Sequence, residues 1–183
     1  MRDLIVTENI TLDGVIEASD NWFDVADTDD REFMAVQEEH RDGADAVLMG
    51  RETYESFAGY WPLQTDDETG VTDYLNRTEK YVVSATLSAP TWEHTTVLRG
   101  PLVEAVTALK ERPGQAIVAT GSITLVHALV RAGLVDEYRL FVFPVVLGRG
   151  RRLFEDATDV GPLRLAEARS FRSGIALLRH RSD

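Results

Sequence analysis

The sequence predicts a three-layer α/β domain: a mixed, mostly parallel sheet of about eight strands, flanked by helices and closed by a C-terminal antiparallel hairpin. Three stretches carry this expectation. The first runs from Ile117 to Gly150. An apolar run ending at Ala119 meets Thr120-Gly121-Ser122. Leu125, Ala128, Leu129 and Ala132 then recur at helical spacing, and Gly133 stops the helix. Tyr138 to Val146 is a second run rich in Val and Phe, limited by Pro144. This is a βαβ unit. The second stretch repeats the pattern: Ala44 to Met49 is a buried strand, and Gly50 opens a helix through Phe57. The third is a pair of alternating runs, Leu163 to Phe171 and Ile175 to His180, joined at Arg172-Ser173-Gly174 as a hairpin.

The remaining elements follow in order. Leu4-Ile5-Val6 is a short β-branched strand, and Thr7 to Gly14 leaves it. Asp13-Gly14 is a turn signal, in which Asp13 can cap its own backbone. Glu17 to Asp30 is acidic and aperiodic. Its Asn21-Trp22-Phe23 is an aromatic loop of the kind that folds over a site as a lid. Arg31 to Asp42 is a helix with Phe33, Val36 and Gln37 inward and His40 near its end, where the dipole favours a positive imidazole. Gly59 to Asp67 is a loop whose Tyr60 and Trp61 could stack on a planar ring or cover the core edge. Val71 to Thr78 is a short helix, Tyr81 to Ser84 and Thr95 to Leu98 are strands, and Pro101 to Glu111 is a helix with Pro in its first turn.

Composition narrows the function. With 183 residues, 44% of them hydrophobic, the chain forms one domain spanning 1–183. There is no cysteine, which excludes disulfides, thiolate metal sites and cysteine nucleophiles. Apolar runs are too short for a membrane span, and no signal-peptide pattern opens the chain. A soluble cytoplasmic protein is expected. A net charge of −12 argues against nucleic acid. Most of the arginines at 149, 151, 152, 164, 169, 172, 179 and 181 read as solvated or paired surface charges of small energetic value. The Gly-x-Gly-x-x-Gly fingerprint, a nucleophile elbow and a histidine–carboxylate metal spacing are all absent.

Glycine at a strand-to-helix turn lets an anion approach the free N–H groups of the helix. Gly121-Ser122 alone is a weak signal, since such a glycine can serve the turn only. Gly50-Arg51-Glu52-Thr53 is stronger, because Arg51 adds a donor fork suited to phosphate.

A resemblance gives these turns a context. The segment AGLVDEYRLFVFPVVLGRGRRLF resembles the end of the C-terminal reductase domain of the bifunctional riboflavin-biosynthesis deaminase-reductase, a member of the dihydrofolate reductase-like superfamily. Thr11-Leu12-Asp13-Gly14 and the stretch from Met49 to Phe57 agree with it, and the likeness runs from about Leu4 to about Leu178. It is closest to stand-alone, single-domain relatives. The resemblance implies a reductase that uses NADPH as cofactor, held by Gly50, Arg51, Thr53, Ser84, Gly121, Ser122, Ile123 and Leu125. It places Thr11, Trp22, Phe57, Pro144, Val146 and Gly148 toward the substrate. Asp13 and an aspartate near 29 are the candidate catalytic residues; Asp27, Asp29 and Asp30 compete for the second place, with helix capping as the ordinary role of such residues.

The implied substrate is pyrimidine- or pterin-like, most specifically 5-amino-6-(5-phosphoribosylamino)uracil of riboflavin biosynthesis, and the implied assembly is a homodimer. Arg149, Arg151 or Arg152 could hold its phosphate. The alternatives are an NADPH-dependent reductase of an unrelated small molecule and a dinucleotide-binding protein without turnover.

Overall fold

The computed structural model describes residues 1–19, 21–25, 30–155 and 160–182, with backbone only at 24–25. Among the described residues, eight strands and five α-helices follow one another as β1 (Leu4–Thr11), α1 (Arg31–Asp42), β2 (Ala44–Gly50), α2 (Arg51–Tyr60), α3 (Val71–Arg77), β3 (Glu79–Val83), β4 (Thr95–Leu98), α4 (Leu102–Glu111), β5 (Ala116–Ala119), α5 (Ile123–Arg131), β6 (Glu137–Phe143), β7 (Leu163–Ser170) and β8 (Ala176–Ser182). They form one sheet in the order β4-β3-β2-β5-β1-β6-β8-β7. The pairs from β4 to β6 are parallel; β8 runs antiparallel to both β6 and β7.

Several boundaries differ from the sequence expectation. Strand β1 does not leave the sheet at Thr7. It continues to Thr11 because β6 pairs with it from Ile5↔Glu137 to Thr11↔Phe143. Its other neighbour, β5, pairs only with Leu4 to Val6, so the second half of β1 borders a crevice on that side. Such a crevice beyond the carboxyl ends of parallel strands is where α/β sheets take ligands. Strand β6 ends at Phe143, not Val146, because Pro144 has no N–H to give the ladder. Helix α2 runs three residues further than expected, to Tyr60, and a 3-10 turn, Trp61–Leu63, prolongs it.

Leu4, Val6 and Ile10 face a core shared with Leu125, Val126, Leu129 and Val130 of α5. Two smaller clusters involve α1 and α2: Phe33 and Val36 pack with Phe141, Phe143 and Phe171, and Tyr54 packs with Val47, Met49 and Trp92. Trp22 belongs to the first of these. It is 5% exposed, its Nε1 donates to the Glu17 carbonyl at 2.8 Å, and its ring meets Phe143 edge-on at 5.3 Å. The expected lid tryptophan is a core residue, because its loop lies on the sheet.

The antiparallel end carries an ion network. Glu137, 1% exposed, accepts from Arg139 Nε at 2.6 Å, Arg179 Nε at 3.0 Å and Arg181 at 2.9 Å. Burial alone would push its carboxyl up, but hydrogen bonds from Arg179 and Arg139 outweigh it and hold it below the usual carboxylate range. Arg179 also reaches Glu167 at 2.8 Å. The C-terminal arginines are therefore not all surface charges of small value, since three carboxylate-bound guanidiniums share one buried partner.

The chain's only lysines, Lys80 and Lys110, are both buried. Lys80 Nζ donates to the carbonyls of Leu75 and Thr78 at 2.7 and 2.8 Å and lies 4.6 Å from the Trp92 ring centre. Lys110 pairs with Asp136 at 2.6 Å.

Candidate active site

Two neighbouring hollows open at the carboxyl end of the parallel strands. The first is a groove where α2 and α5 begin. Gly50, Arg51, Ser122 and Leu125 line it, with Glu52, Val83, Leu102, Thr124 and Ala128. Gly50 and Ser122 are pressed together: a Cβ built on Gly50 would stand 1.9 Å from Ser122 Oγ. Gly121 has φ +97°, and a Cβ there would lie 3.2 Å from Thr53 Oγ1. Thr53 thus packs the turn from the first turn of α2. The two bare glycines leave the helix starts side by side. Two sets of free N–H groups then face one groove, the arrangement that favours phosphate.

Arg51 is half-exposed and currently held by Glu55 at 3.0 Å, one turn along α2. An exposed pair of this kind is worth about 0–1 kcal/mol, so a phosphate can take the guanidinium from it. Ile123 lies behind the groove, partly buried against the core. Ser84 is turned to its own loop, its Oγ accepting from the N–H groups of Thr86 and Leu87 at 3.2 and 2.9 Å.

The second hollow is a cavity of about 200 Å³ between α1 on one side and α2 and α3 on the other, with the sheet as its floor. Phe57, Trp61, Tyr74 and Phe141 give it aromatic walls, and Thr7, Gln37, His40 and Thr120 give it polar groups. Thr120, which lines the cavity, stands two positions before Ser122, which lines the groove, so the end of β5 leads from one to the other. His40 does not act as the positive helix end expected of it. Burial, together with the guanidiniums of Arg139 and Arg179, lowers its pKa to about 4, so its imidazole is neutral at neutral pH.

Of the expected substrate residues, only Phe57 lines the cavity. Thr11 and Asp13 form a clamp instead. Thr11, 2% exposed, donates to Asp13 Oδ1 at 2.6 Å and accepts from Val15 N–H at 2.9 Å. Asp13 also accepts from the N–H groups of Leu147 and Gly148 at 3.3 and 2.8 Å. Hydrogen bonds from Thr11 and Gly148 pull its pKa down to about 2. Asp13 is therefore ionised at neutral pH and unsuited to donating a proton; it staples the 144–150 loop to the end of β1. Pro144, Val146 and Gly148 lie exposed on that loop, Val146 at 68%.

Asp29, like Asp27, lies outside the described residues. Asp30 caps α1, accepting from Phe33 N–H at 3.1 Å and Ser173 N–H at 2.8 Å. Arg151 lies 3.8 Å from Glu155, and Arg152 donates to the Asp13 carbonyl at 2.8 Å, both away from the cavity.

One further ionisable group sits on β1 beside the crevice. Glu8 Oε1 is enclosed and has no hydrogen-bond partner among the described residues, and burial pushes its carboxyl up to about 8. Glu8 interrupts the otherwise apolar alternation of Leu4, Val6 and Ile10, a signal the sequence held but that strand assignment alone passes over.

The sheet order and the joined helix starts define a dihydrofolate reductase-like α/β domain. The chain belongs to the RibD C-terminal domain family, whose model matches residues 2–177. It is 31% identical over 177 residues to the uncharacterized protein YyaP of Bacillus subtilis (strain 168), covering 95% of this chain and 92% of that one. It is 29% identical to YwjB of the same organism, with 96% of each chain covered. Among solved structures, a putative riboflavin biosynthesis protein from Shewanella sp. PV-4 superposes with a TM-score of 0.75 at 18% identity, covering 99% of both chains. A diaminohydroxyphosphoribosylaminopyrimidine deaminase/5-amino-6-(5-phosphoribosylamino)uracil reductase from Thermotoga maritima gives 0.66 at 17%, covering all of this chain and 57% of that one. At these identities the structural likeness establishes the fold, and the family membership supports a reductase role.

Proposed function

We propose that the protein is an NADPH-dependent reductase of a pyrimidine- or pterin-like ring compound. The observation that carries this reading is the close approach of Gly50 and Ser122, which sets two helix starts around one groove. Donor N–H groups at both starts, with Arg51 at the rim, fit a dinucleotide's pyrophosphate and 2′-phosphate. When bound, the dinucleotide supplies the hydride. The protein's part is to hold that end near Thr120, to keep the ring in the adjoining cavity, and to exclude water with the aromatic walls. The proton that accompanies reduction comes from a group other than Asp13, which is ionised.

Thermal unfolding with NADPH and with NADH tests this. At about 100 times Kd, a ligand of the folded state adds roughly 2.7 kcal/mol, a shift on the order of 5 °C for a domain of this size. The expected result is a clear shift with NADPH, a smaller one with NADH, and loss of that difference in Arg51→Ala. No shift with either at millimolar concentration would overturn the reading. NADPH oxidation over many turnovers with a ring substrate then separates an enzyme from a dinucleotide-binding protein.

A further inference from the structure

We propose that Glu8 holds the carboxamide of the dinucleotide's nicotinamide, its carboxyl pairing with that amide through two parallel hydrogen bonds. The inference rests on the dinucleotide reading above and gives it a contact outside the glycine turns.

Position is the first argument. Strand β1 pairs with β5 from Leu4↔Ile117 to Val6↔Ala119 and no further. That register, carried on, would set Thr120 beside Thr7 and Gly121 beside Glu8. Glu8 therefore borders the crevice level with the turn that leads from cavity to groove. Successive strand residues point to opposite faces. Thr7 lines the cavity, on the α1 side of the sheet. Glu8 alternates with it and shares the face of Leu4, Val6 and Ile10, against which α5 packs. The groove lies on that face as well: Ser122, Thr124, Leu125 and Ala128 line it, and Leu125 also belongs to the core beneath. Glu8 is thus on the cofactor's side of the sheet and not on the cavity's. That makes it a binding residue and not the source of the proton.

The second argument is chemical. Glu8 Oε1 is enclosed, with no partner among the described residues. Burial alone pushes the carboxyl up to about 8, with no contribution from a charge or a hydrogen bond. Two other titratable side chains are buried on this side. Tyr138 of β6 is pushed up to about 12 by burial. His127 of α5 is engaged by the Arg152 carbonyl at 2.8 Å, with Glu155 at 3.4 Å and Arg151 at 3.5 Å. At neutral pH Glu8 is a carboxylic acid, an O–H donor beside a C=O acceptor. A carboxamide presents the complementary pair, an N–H beside a C=O. An ionised carboxylate only accepts, and would leave the amide C=O without a donor.

The third argument is what Glu8 costs the empty protein. An enclosed polar atom without a partner opposes folding, and an apolar residue in the series Leu4, Val6, Ile10 would not. A side chain that breaks the local pattern at a ligand crevice fits a group whose partner arrives with the ligand.

Isothermal titration calorimetry on the whole protein between about pH 6.5 and pH 9 decides it. The ligands are NADPH and 2′-phospho-ADP-ribose, which carries the same phosphates and no nicotinamide. Across that range the advantage of NADPH over the ring-less ligand should fall about fivefold as Glu8 loses its proton. Glu8→Leu should weaken NADPH about tenfold and leave the ring-less ligand within about twofold. Glu8→Gln keeps a donor and an acceptor on the same stem, so it should bind NADPH like the wild type at neutral pH and lose the pH dependence. Equal weakening of both ligands in Glu8→Leu, or no change in either, overturns the inference. Failure of the dinucleotide reading looks different. The wild type would then bind neither ligand at millimolar concentration, and the Glu8 contact would fall with it, whereas a wild type that binds both ligands equally sinks the Glu8 contact alone.

Discussion

The groove and the cavity are neighbours built by opposite means. The groove is made of what is missing. At Gly50 the absent side chain, and at Gly121 the positive φ, let two helix starts meet, and the donors on offer are backbone N–H groups. The cavity is made of what is present: four aromatic walls and a few neutral polar tips, set between α1, α2 and α3 over a floor of four strands. A backbone site tolerates little change at a few positions. A side-chain site spreads its tolerance over many. Substitutions should therefore act abruptly in the groove and gradually in the cavity.

The largest expected effect is in the groove. Gly50→Ala places a methyl 1.9 Å from Ser122 Oγ and 3.2 Å from its Cβ, so the hydroxyl must rotate away and the turn must give by a few tenths of an ångström. The NADPH-induced rise in melting temperature should be strongly reduced, and differential scanning fluorimetry reads it. A retained shift would show that the two helix starts need not touch.

Next comes pH. Glu8 has an ordinary carboxyl pKa near 4.5 when unfolded and about 8 when folded, so the folded state binds the extra proton. Stability is full below 4.5 and falls as pH rises to 8, where it levels off. Glu8→Gln should remove that slope and stabilise the protein at pH 8 by roughly 2–4 kcal/mol, at 1.36 kcal/mol per unit and less for residual solvent contact. Urea melts across this range would expose a flat wild-type profile, if that is the truth.

His40 gives a smaller, purely spectroscopic test on the cavity side. Its imidazole signal should not titrate between pH 5 and 8, because its pKa is about 4. A midpoint near 6.5 would mean the cavity is wetter than described.

The smallest effect returns to the groove. Glu55→Gln frees Arg51 and should tighten NADPH by a factor of about 2–5, the worth of an exposed ion pair. No change would separate Arg51 from the cofactor.

The same contrast explains what the sequence made legible. Apolar runs and strand-to-helix glycines are local signals, so the strands, all five helices and the Gly50 and Ser122 turns could be read directly. The cavity could not. Thr7, Gln37, Thr120 and Phe141 are far apart in the chain and unremarkable singly, and only the order β2-β5-β1-β6 brings them together beside Trp61, whose place in a ring site the sequence left open against covering the core edge. Gln37 was legible as an inward position, but not as a polar group in the wall of a cavity. Asp13 misleads in the opposite direction: it sits in the motif, yet its carboxylate is spent on Thr11 and the 147–148 backbone, partners that lie some 135 residues apart in the chain for Gly148. Trp22 misleads because an aromatic in a polar loop gives no sign of which way it faces.

The burial of both lysines has a practical consequence. Amine-directed reagents, whether cross-linkers, fluorescent esters or coupling resins, find no side-chain target on the surface. Lys80 is enclosed by two carbonyls and a tryptophan, and Lys110 is clamped by Asp136. Under native conditions such reagents are confined to a backbone amino terminus, so attachment is single and oriented. Lysine labelling that appears only on heating then becomes a direct count of unfolded molecules.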